Sequence, residues 1–238
     1  MTGASDIAQI SALWPSLWPS VWLSLQLAAI TTVILLALGI PLAWWLTVTK
    51  SRLRPVVETI TALPLVVPPT VLGFYFLILL SPNTAIGGFF LRLTGETLTF
   101  SFTGLVLASV IYSLPFAVQP LHTAFQSVGT GLVEAAQTMG AGRVSLFWRL
   151  ILPLSRRGVL TAAVLTFAHT IGEFGVVLMV GGNIPGKTRV ISIEIFNRVE
   201  VLDYSAAHVL AAGLLVFSFA ALLAIYVLNG RAMARVHD

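Results

Sequence analysis

The sequence has no cysteine, so disulfides, thiolate metal sites and cysteine nucleophiles are excluded from the start. Charge is nearly as scarce. Asp, Glu, Lys and Arg make up 9% of the chain, against about a quarter in soluble domains, and so few charges cannot cover a water-facing surface. No Lys or Arg precedes Lys50, so the N-terminus lacks the basic region of a signal peptide and is read as uncleaved. What is abundant is apolar: 57% of the 238 residues are hydrophobic and the mean hydropathy is +0.96. The composition is that of an integral membrane protein that is nearly all membrane domain, without room for a second globular domain of about 100 residues. Any energy source must then lie on another chain. The excess of 13 Lys and Arg over 9 Asp and Glu sets topology in such a protein and does not point to a nucleic-acid partner.

Five apolar runs exceed or approach the roughly 20 residues that cross a bilayer core. They are expected at about 20–49, 56–80, 102–124, 158–180 and 206–228, within a single transmembrane domain covering 1–238. Trp14, Trp18 and Trp22, four apart, suit an aromatic anchor at the headgroup layer. Pro64, Pro68 and Pro69 inside the second run remove backbone donors and clash with the preceding turn, so that span is expected to be kinked or broken and to form a wall of a pathway. Polar loops are expected at 81–101 and 181–205. With alternating sides, Lys50, Arg52, Arg54, Arg143, Arg149, Arg156, Arg157, Arg231 and Arg235 share one side, and Arg92, Lys187, Arg189 and Arg198 the other. The richer side is cytoplasmic, which puts the N-terminus outside and the C-terminus inside. The fold class expected is an all-α integral membrane protein of about five transmembrane helices with a cytoplasmic helix-turn-helix.

That helix-turn-helix, 130–153, interrupts the apolar runs with a carboxylate, arginines and glycines. Leu132 to Met139 reads as one short helix with Thr130 as its cap, Gly140 and Gly142 as the turn, and a second helix follows. In the second helix Val144, Phe147, Trp148 and Ile151 fall at i, i+3, i+4 and i+7 and predict one apolar face, with Arg143 and Arg149 marking a polar side.

Glu134-Ala135-Ala136, Gly140 four residues on, and Leu150-x-Leu152-Pro153 after nine more resemble the EAA loop of membrane subunits in bacterial ABC importers. Leu150 stands where that pattern usually has Ile. Leu63-Pro64-Leu65-Val66-Val67-Pro68-Pro69, Gly172-Glu173-Phe174-Gly175 and Asn183-Ile184-Pro185-Gly186-x-Thr188 narrow the resemblance to the binding-protein-dependent permeases of molybdate importers.

The resemblance implies the type I ABC importer permease fold in the inner (cytoplasmic) membrane of a bacterium or archaeon. It implies a homodimer, two ATPase subunits that carry ATP and Mg, and a periplasmic or lipoprotein anion-binding protein; this chain itself has no cofactor and no catalytic residue. Glu134, Ala135, Ala136, Gly140, Arg143, Arg149 and Pro153 would couple to the ATPase. Pro64, Pro68, Pro69, Thr70 and Glu173 would form pathway or gate, and Asn183, Lys187 and Arg189 would meet the binding protein. Apart from the resemblance, the hydroxyls of Thr59, Thr61, Thr70, Ser109, Ser113 and Thr166 are expected to line the path and hydrogen-bond an oxyanion weakly. Related tungstate or sulfate/thiosulfate permeases, and an ATP-independent secondary transporter, are the alternatives.

Two patterns point elsewhere. Gly181-x-x-x-x-Gly186-Lys187-Thr188 satisfies the phosphate-loop pattern, but no α/β nucleotide domain surrounds it. His169 and Glu173, four apart on an expected helix, suggest a metal pair without a third ligand, so no metal is expected. Glu173 is expected to pair with Lys187 or Arg189, since a carboxylate repels an oxyanion. Glu58 is expected to pair with Arg54 at i−4.

Overall fold

The computed structural model describes residues 3–233, with side chains from 14 to 227. Arg235 and the side chain of Arg231 therefore lie outside what is described. Every regular element among the described residues is helical. The first, α1 (Gly3–Val48), runs through Pro15, Pro19 and Pro41 without a break. Its membrane-length part, Trp14–Val48, is about 50 Å long at 1.5 Å per residue, longer than the roughly 30 Å bilayer core. Trp14, Trp18 and Trp22 follow one another along it with ring centroids 5.7 and 6.2 Å apart, the first pair tilted and the second stacked.

The second run is broken more sharply than a proline kink. α2 (Arg54–Ala62) and the 3-10 turn Leu63–Leu65 meet α3 (Pro69–Leu79) at 108°. Pro68 adopts an extended ψ of 137°, as expected of a residue that precedes another proline. α3 alone is about 16 Å long, so the two pieces do not make one straight crossing.

The segment 81–101, expected as a loop, contains α4 (Ala85–Thr94). Thr84 accepts the Gly87 N–H at 3.1 Å and Gly95, at φ +76°, closes the helix. Those two end signals were present in the sequence. α5 (Phe102–Tyr112) and α6 (Leu114–Gln126) bend by 40° at Ser113, just ahead of Pro115.

After the short helices α7 (Thr130–Thr138), α8 (Arg143–Leu146) and α9 (Leu152–Leu154) comes α10 (Arg156–Gly172). The fourth run does not continue to Val180 as one helix: it stops at Gly172, and α11 (Gly175–Gly181) begins after Glu173 and Phe174. The expected second loop likewise contains a helix, α12 (Ile191–Glu200), and α13 (Tyr204–Met233) ends the described chain. Among the described residues two helices are long and apolar enough to cross a membrane alone, and up to five crossings result if each bent pair is one span.

α1, α6 and α10 form the central packing. Near the C-terminal half of α1 the core joins Ala43, Leu46, Val118, Leu121, Phe125, Phe147 and Ile151. Near its N-terminal half Leu17 and Ala28 pack with Ile171, Ile191, Ala206 and Leu210. α11 packs instead on α3 and α5, so the two half-helices that follow breaks lie together. A Cβ on Gly175 would sit 2.7 Å from Pro69 Cβ, closer than packed carbons allow; the approach needs glycine.

Candidate coupling surface and pathway elements

The two ends of α1 carry different polar structures. At its C-terminal end, α7 begins after Gly129, which occupies the N-cap position at φ +81° with no side-chain bond; Thr130 is the first helical residue and not the cap. No residue of α7 is buried. Glu134 and Ala135 are exposed and Ala136 half-buried. Gly140, at φ +84°, turns the chain in the left-handed region that other residues enter only at a cost, and Ala141 N–H returns to Ala136 O at 3.0 Å. A cavity of about 330 Å³ lies between α7 and the bundle, lined by Glu134, Gln137, Trp44 and Phe125 among others.

The second half of the elbow is helical from Arg143 to Leu154, but Phe147–Ile151 is wound as a π-helix. Leu152 N–H reaches back five residues to Phe147 O. The cause is Pro153, whose ring clashes with the carbonyl of Arg149 and opens the preceding turn. The expected apolar face is present but unevenly covered: Val144, Phe147 and Trp148 line one groove against α1, and Ile151 is buried. Leu146, Phe147 and Ile151 are buried, with Phe147 5.4 Å from Trp44 and 5.9 Å from Phe125 between centroids. Val144 and Trp148, expected beside them, are 73% and 63% exposed. Arg143 does not stand opposite these two but borders the same groove against α1; Arg149 is exposed. Ser155, where the elbow turns by 70° into α10, donates to Ala124 O at 3.1 Å and fixes the corner to the end of α6.

Between the ends lie the helix breaks. Pro64 is buried in the 3-10 turn, Pro68 caps α3, Pro69 abuts Gly175, and Thr70 is exposed. Glu173 is buried and its Oε1 accepts the Val176 N–H at 2.8 Å, so the carboxylate holds the start of α11. Its backbone oxygen accepts from Ser192 Oγ. His169 and Glu173 do not share the helix face read from their spacing, because the helix ends at Gly172 and Glu173 is extended, with ψ 133°. His169 stacks on Phe116, 3.8 Å between centroids, and its Nδ1 lies 3.0 Å from Ser113 Oγ. Ser113 Oγ is also 3.1 Å from Thr170 Oγ1. Among the described residues no three His, Asp or Glu side chains converge as a metal site. Thr59 and Thr61 hydroxyls return to carbonyls of their own helix, whereas Ser109 and Thr166 are buried hydroxyls without a hydrogen-bond partner among the described residues.

At the N-terminal end of α1, the phosphate-loop look-alike folds inward. Thr188 is fully buried, donates to Gly181 O at 2.7 Å and accepts from Ile184 N–H at 3.2 Å. The N–H groups of Lys187, Thr188 and Arg189 all turn to Ile184 O, leaving no cradle of donors, and 176–180 is helix rather than strand. Arg189 does not reach Glu173. It donates to Asn183 Oδ1 and pairs with Glu194 at 3.4 Å. Glu194, 2% exposed, also takes Arg198 at 2.6 Å, and Arg198 takes Asp203 at 3.0 Å.

The Glu194 hydrogen bond, ahead of the other contacts, holds the Arg198 guanidinium above its ordinary pKa. Asp203 is held below the usual carboxylate range chiefly by the Ala206 N–H, then by the Ser205 hydroxyl. Sequence reading missed this network, although Glu194 and Arg198 at i, i+4 were its signal. Of the three residues expected to meet a binding protein, Asn183 and Arg189 are tied into the network and Lys187 is exposed. The expected Arg54–Glu58 pair is present at 2.8 Å.

Residues 36–233 match the family described as binding-protein-dependent transport system inner membrane component. The chain is similar to the molybdenum transport system permease protein ModB of Azotobacter vinelandii, 53% identical over 201 residues, 84% of this chain and 89% of that one. It is 33% identical over 198 residues to the sulfate transport system permease protein CysT of Salmonella typhimurium, 83% of this chain and 71% of that one. Among solved structures, it resembles a chain of a bacterial alginate ABC transporter crystallised with an alginate pentasaccharide-bound periplasmic protein. That match has a TM-score of 0.67 at 20% identity, over 89% of this chain and 76% of that one.

Proposed function

Because the chain belongs to the family of binding-protein-dependent transport system inner membrane components, we propose that it is the membrane subunit of an ATP-driven importer of molybdate. The observation that carries the substrate is the 53% identity to the A. vinelandii molybdenum permease. A sulfate reading is favoured only by the 33% identical sulfate permease. The chain is not an enzyme; ATP and Mg belong to a separate ATPase. Two copies of the chain enclose the path, and a periplasmic or lipoprotein anion-binding protein delivers the oxyanion.

In this reading α7 lies in the cytoplasm, with the N-terminus outside and the C-terminus inside. Its exposed Glu134, Ala135 and Ala136, with the Gly140 turn, dock in a cleft of the ATPase. Arg149 lies nearby, and Pro153 shapes the rigid elbow that passes the motion to α10. Packed interfaces switch between discrete arrangements, so a short helix fixed to a corner at Ser155 transmits displacement instead of absorbing it. Pro64, Pro68, Pro69 and Thr70 border the path where α2 and α3 break. Glu173 acts at the gate by holding the start of α11, not by binding an anion that it would repel. Lys187 is the outward charge for the binding protein, with Asn183 and Arg189 holding its loop.

The test is reconstitution of the chain with its ATPase and binding protein in liposomes. Molybdate uptake is expected only with ATP and binding protein present, with tungstate competing more strongly than sulfate. Uptake by the chain alone, without ATP, would refute the importer reading, and stronger competition by sulfate would replace molybdate with sulfate.

A further inference from the structure

We infer that the groove between α1 and the elbow is a binding site for an anionic phospholipid of the cytoplasmic leaflet, its acyl chain along α1 and its phosphate on Arg143. The groove has a volume of about 460 Å³. One wall is the α1 face of Leu36, Ile40 and Trp44, four residues apart; across it stand Arg143, Val144 and Trp148.

Four observations fix the occupant's chemistry. The elbow helix 143–154 meets α10 at 70°, so with α10 crossing the membrane it lies closer to the bilayer plane than to the normal. That is the placement of an interfacial helix, whose apolar side sinks into the boundary between headgroups and acyl chains. Trp44 is six residues, about 9 Å, inward of Lys50, and Leu36 about 12 Å further, which places the groove from just beneath the headgroups into the acyl region. The apolar surface there is open: Val144 is 73% and Trp148 63% exposed, and tryptophan is the residue favoured at that depth.

Finally, the Arg143 side chain makes no hydrogen bond or ion pair among the described residues. A guanidinium at the edge of hydrocarbon needs an anion, and phosphate matches its fork of donors. An acyl chain satisfies the apolar wall and a phosphate satisfies the cation. A zwitterionic lipid supplies the phosphate but adds a positive group beside Arg143, so an anionic headgroup is preferred.

The inference rests on the reading above for the leaflet alone. Its test uses the complete transporter, stripped of lipid and exchanged into micelles with equal phosphatidylglycerol and phosphatidylcholine, with bound lipid read by native mass spectrometry. Preferential retention of phosphatidylglycerol is expected, falling roughly fivefold in Arg143→Gln, the worth of one basic residue at an anionic surface. It is expected to return in Arg143→Lys, to persist in Arg149→Gln, and to drop for both lipids in Trp148→Ala. Equal retention of the two lipids by the unaltered protein, or unchanged preference in Arg143→Gln, overturns the site. So does a photo-crosslinking residue at position 144 that captures the second copy or the ATPase rather than lipid. The measurement contains neither ATP nor oxyanion, so it stands or falls separately from the transport reading.

Discussion

Two polar connections, one at each end of α1, have similar ingredients and opposite fates. The connection 182–203 spends its polar groups on itself: Glu194 is 2% exposed between two arginines, Thr188 is fully buried, and Asn183 is held by Arg189. The elbow 127–155 leaves its own groups over. α7 has no buried residue, and the Glu134 carboxylate has no hydrogen bond or ion pair among the described residues. A connection that satisfies its own donors and acceptors is scaffold, while unspent groups held in a defined shape mark where another molecule is expected. Each connection also spells a motif, and this difference explains why the phosphate-loop one fails. The phosphate-loop pattern needs free backbone donors, and here those of Lys187, Thr188 and Arg189 converge on Ile184 O while the Ile184 N–H goes to Thr188 Oγ1.

The contrast is tested most severely by removing one carboxylate from each connection. Glu194→Ala takes the shared, buried carboxylate from the half-buried Arg189 and Arg198, which keep Asn183 and Asp203, and about 2 kcal/mol of stability is expected to go. Glu134→Ala is expected to change stability by less than about 0.5 kcal/mol, as at ordinary exposed sites. Thermal unfolding of the two purified variants measures both; comparable losses would erase the distinction. The second effect is the reverse image. Glu134→Ala is expected to weaken ATPase binding by about 2 kcal/mol, roughly thirtyfold. Glu194→Ala refolded by added lipid or low temperature is expected to retain that affinity, as read by titration of the ATPase onto detergent-solubilised protein.

The turn between α7 and α8 gives a smaller effect. A Cβ at Gly140 meets no atom within 4 Å, so Gly140→Ala pays only for its φ of +84°, about 1 kcal/mol. Transport is expected to fall because α7 and the elbow lose their fixed angle, while membrane insertion, followed by protease protection, stays as before. A variant with full transport would show that the angle does not matter to coupling.

The elbow's position and its turn were legible because Gly140, Pro153 and the spacing around them have few structural alternatives. The apolar face of the second helix was legible too, since Val144, Phe147 and Trp148 line one groove and Ile151 is buried; the wider turn ahead of Pro153 was not, because a 3.6-residue period does not show it. Apolar length locates the helical runs, but the breaks could not be sized from it: three prolines predict an interruption, while 108° depends on what α3 and α11 pack against. His169 and Glu173 were misread as neighbours for the same reason, since the end of α10 at Gly172 has no proline to announce it. The Glu194 network was within reach, because Glu194 and Arg198 obey the i, i+4 rule; the additional partners Arg189 and Asp203 come from tertiary placement that periodicity does not encode.

The finest distinction lies within the self-satisfied connection, between a buried charge and one at its edge. Asp203 Oδ1 accepts the Ala206 N–H at 3.2 Å and the Ser205 hydroxyl at 2.9 Å, capping the first turn of α13, and Oδ2 pairs with Arg198. Asp203→Asn keeps a capping oxygen and removes the charge, so the loss at neutral pH is expected to be about 0.5 kcal/mol. Because these donors depress the Asp203 pKa in the folded protein, the contribution of its charge is fully present above the unfolded value of about 3.9 and is lost as pH falls through the lower folded value. The difference in unfolding midpoint between the unaltered chain and Asp203→Asn is therefore expected to hold from pH 7 to about pH 5 and to shrink below about pH 4. Other carboxylates titrate in both proteins and cancel in the difference. A gap that widened on acidification would mean that Asp203 is favoured in its protonated form, and the donors of Ala206, Ser205 and Arg198 would then not be what orders the entry to α13.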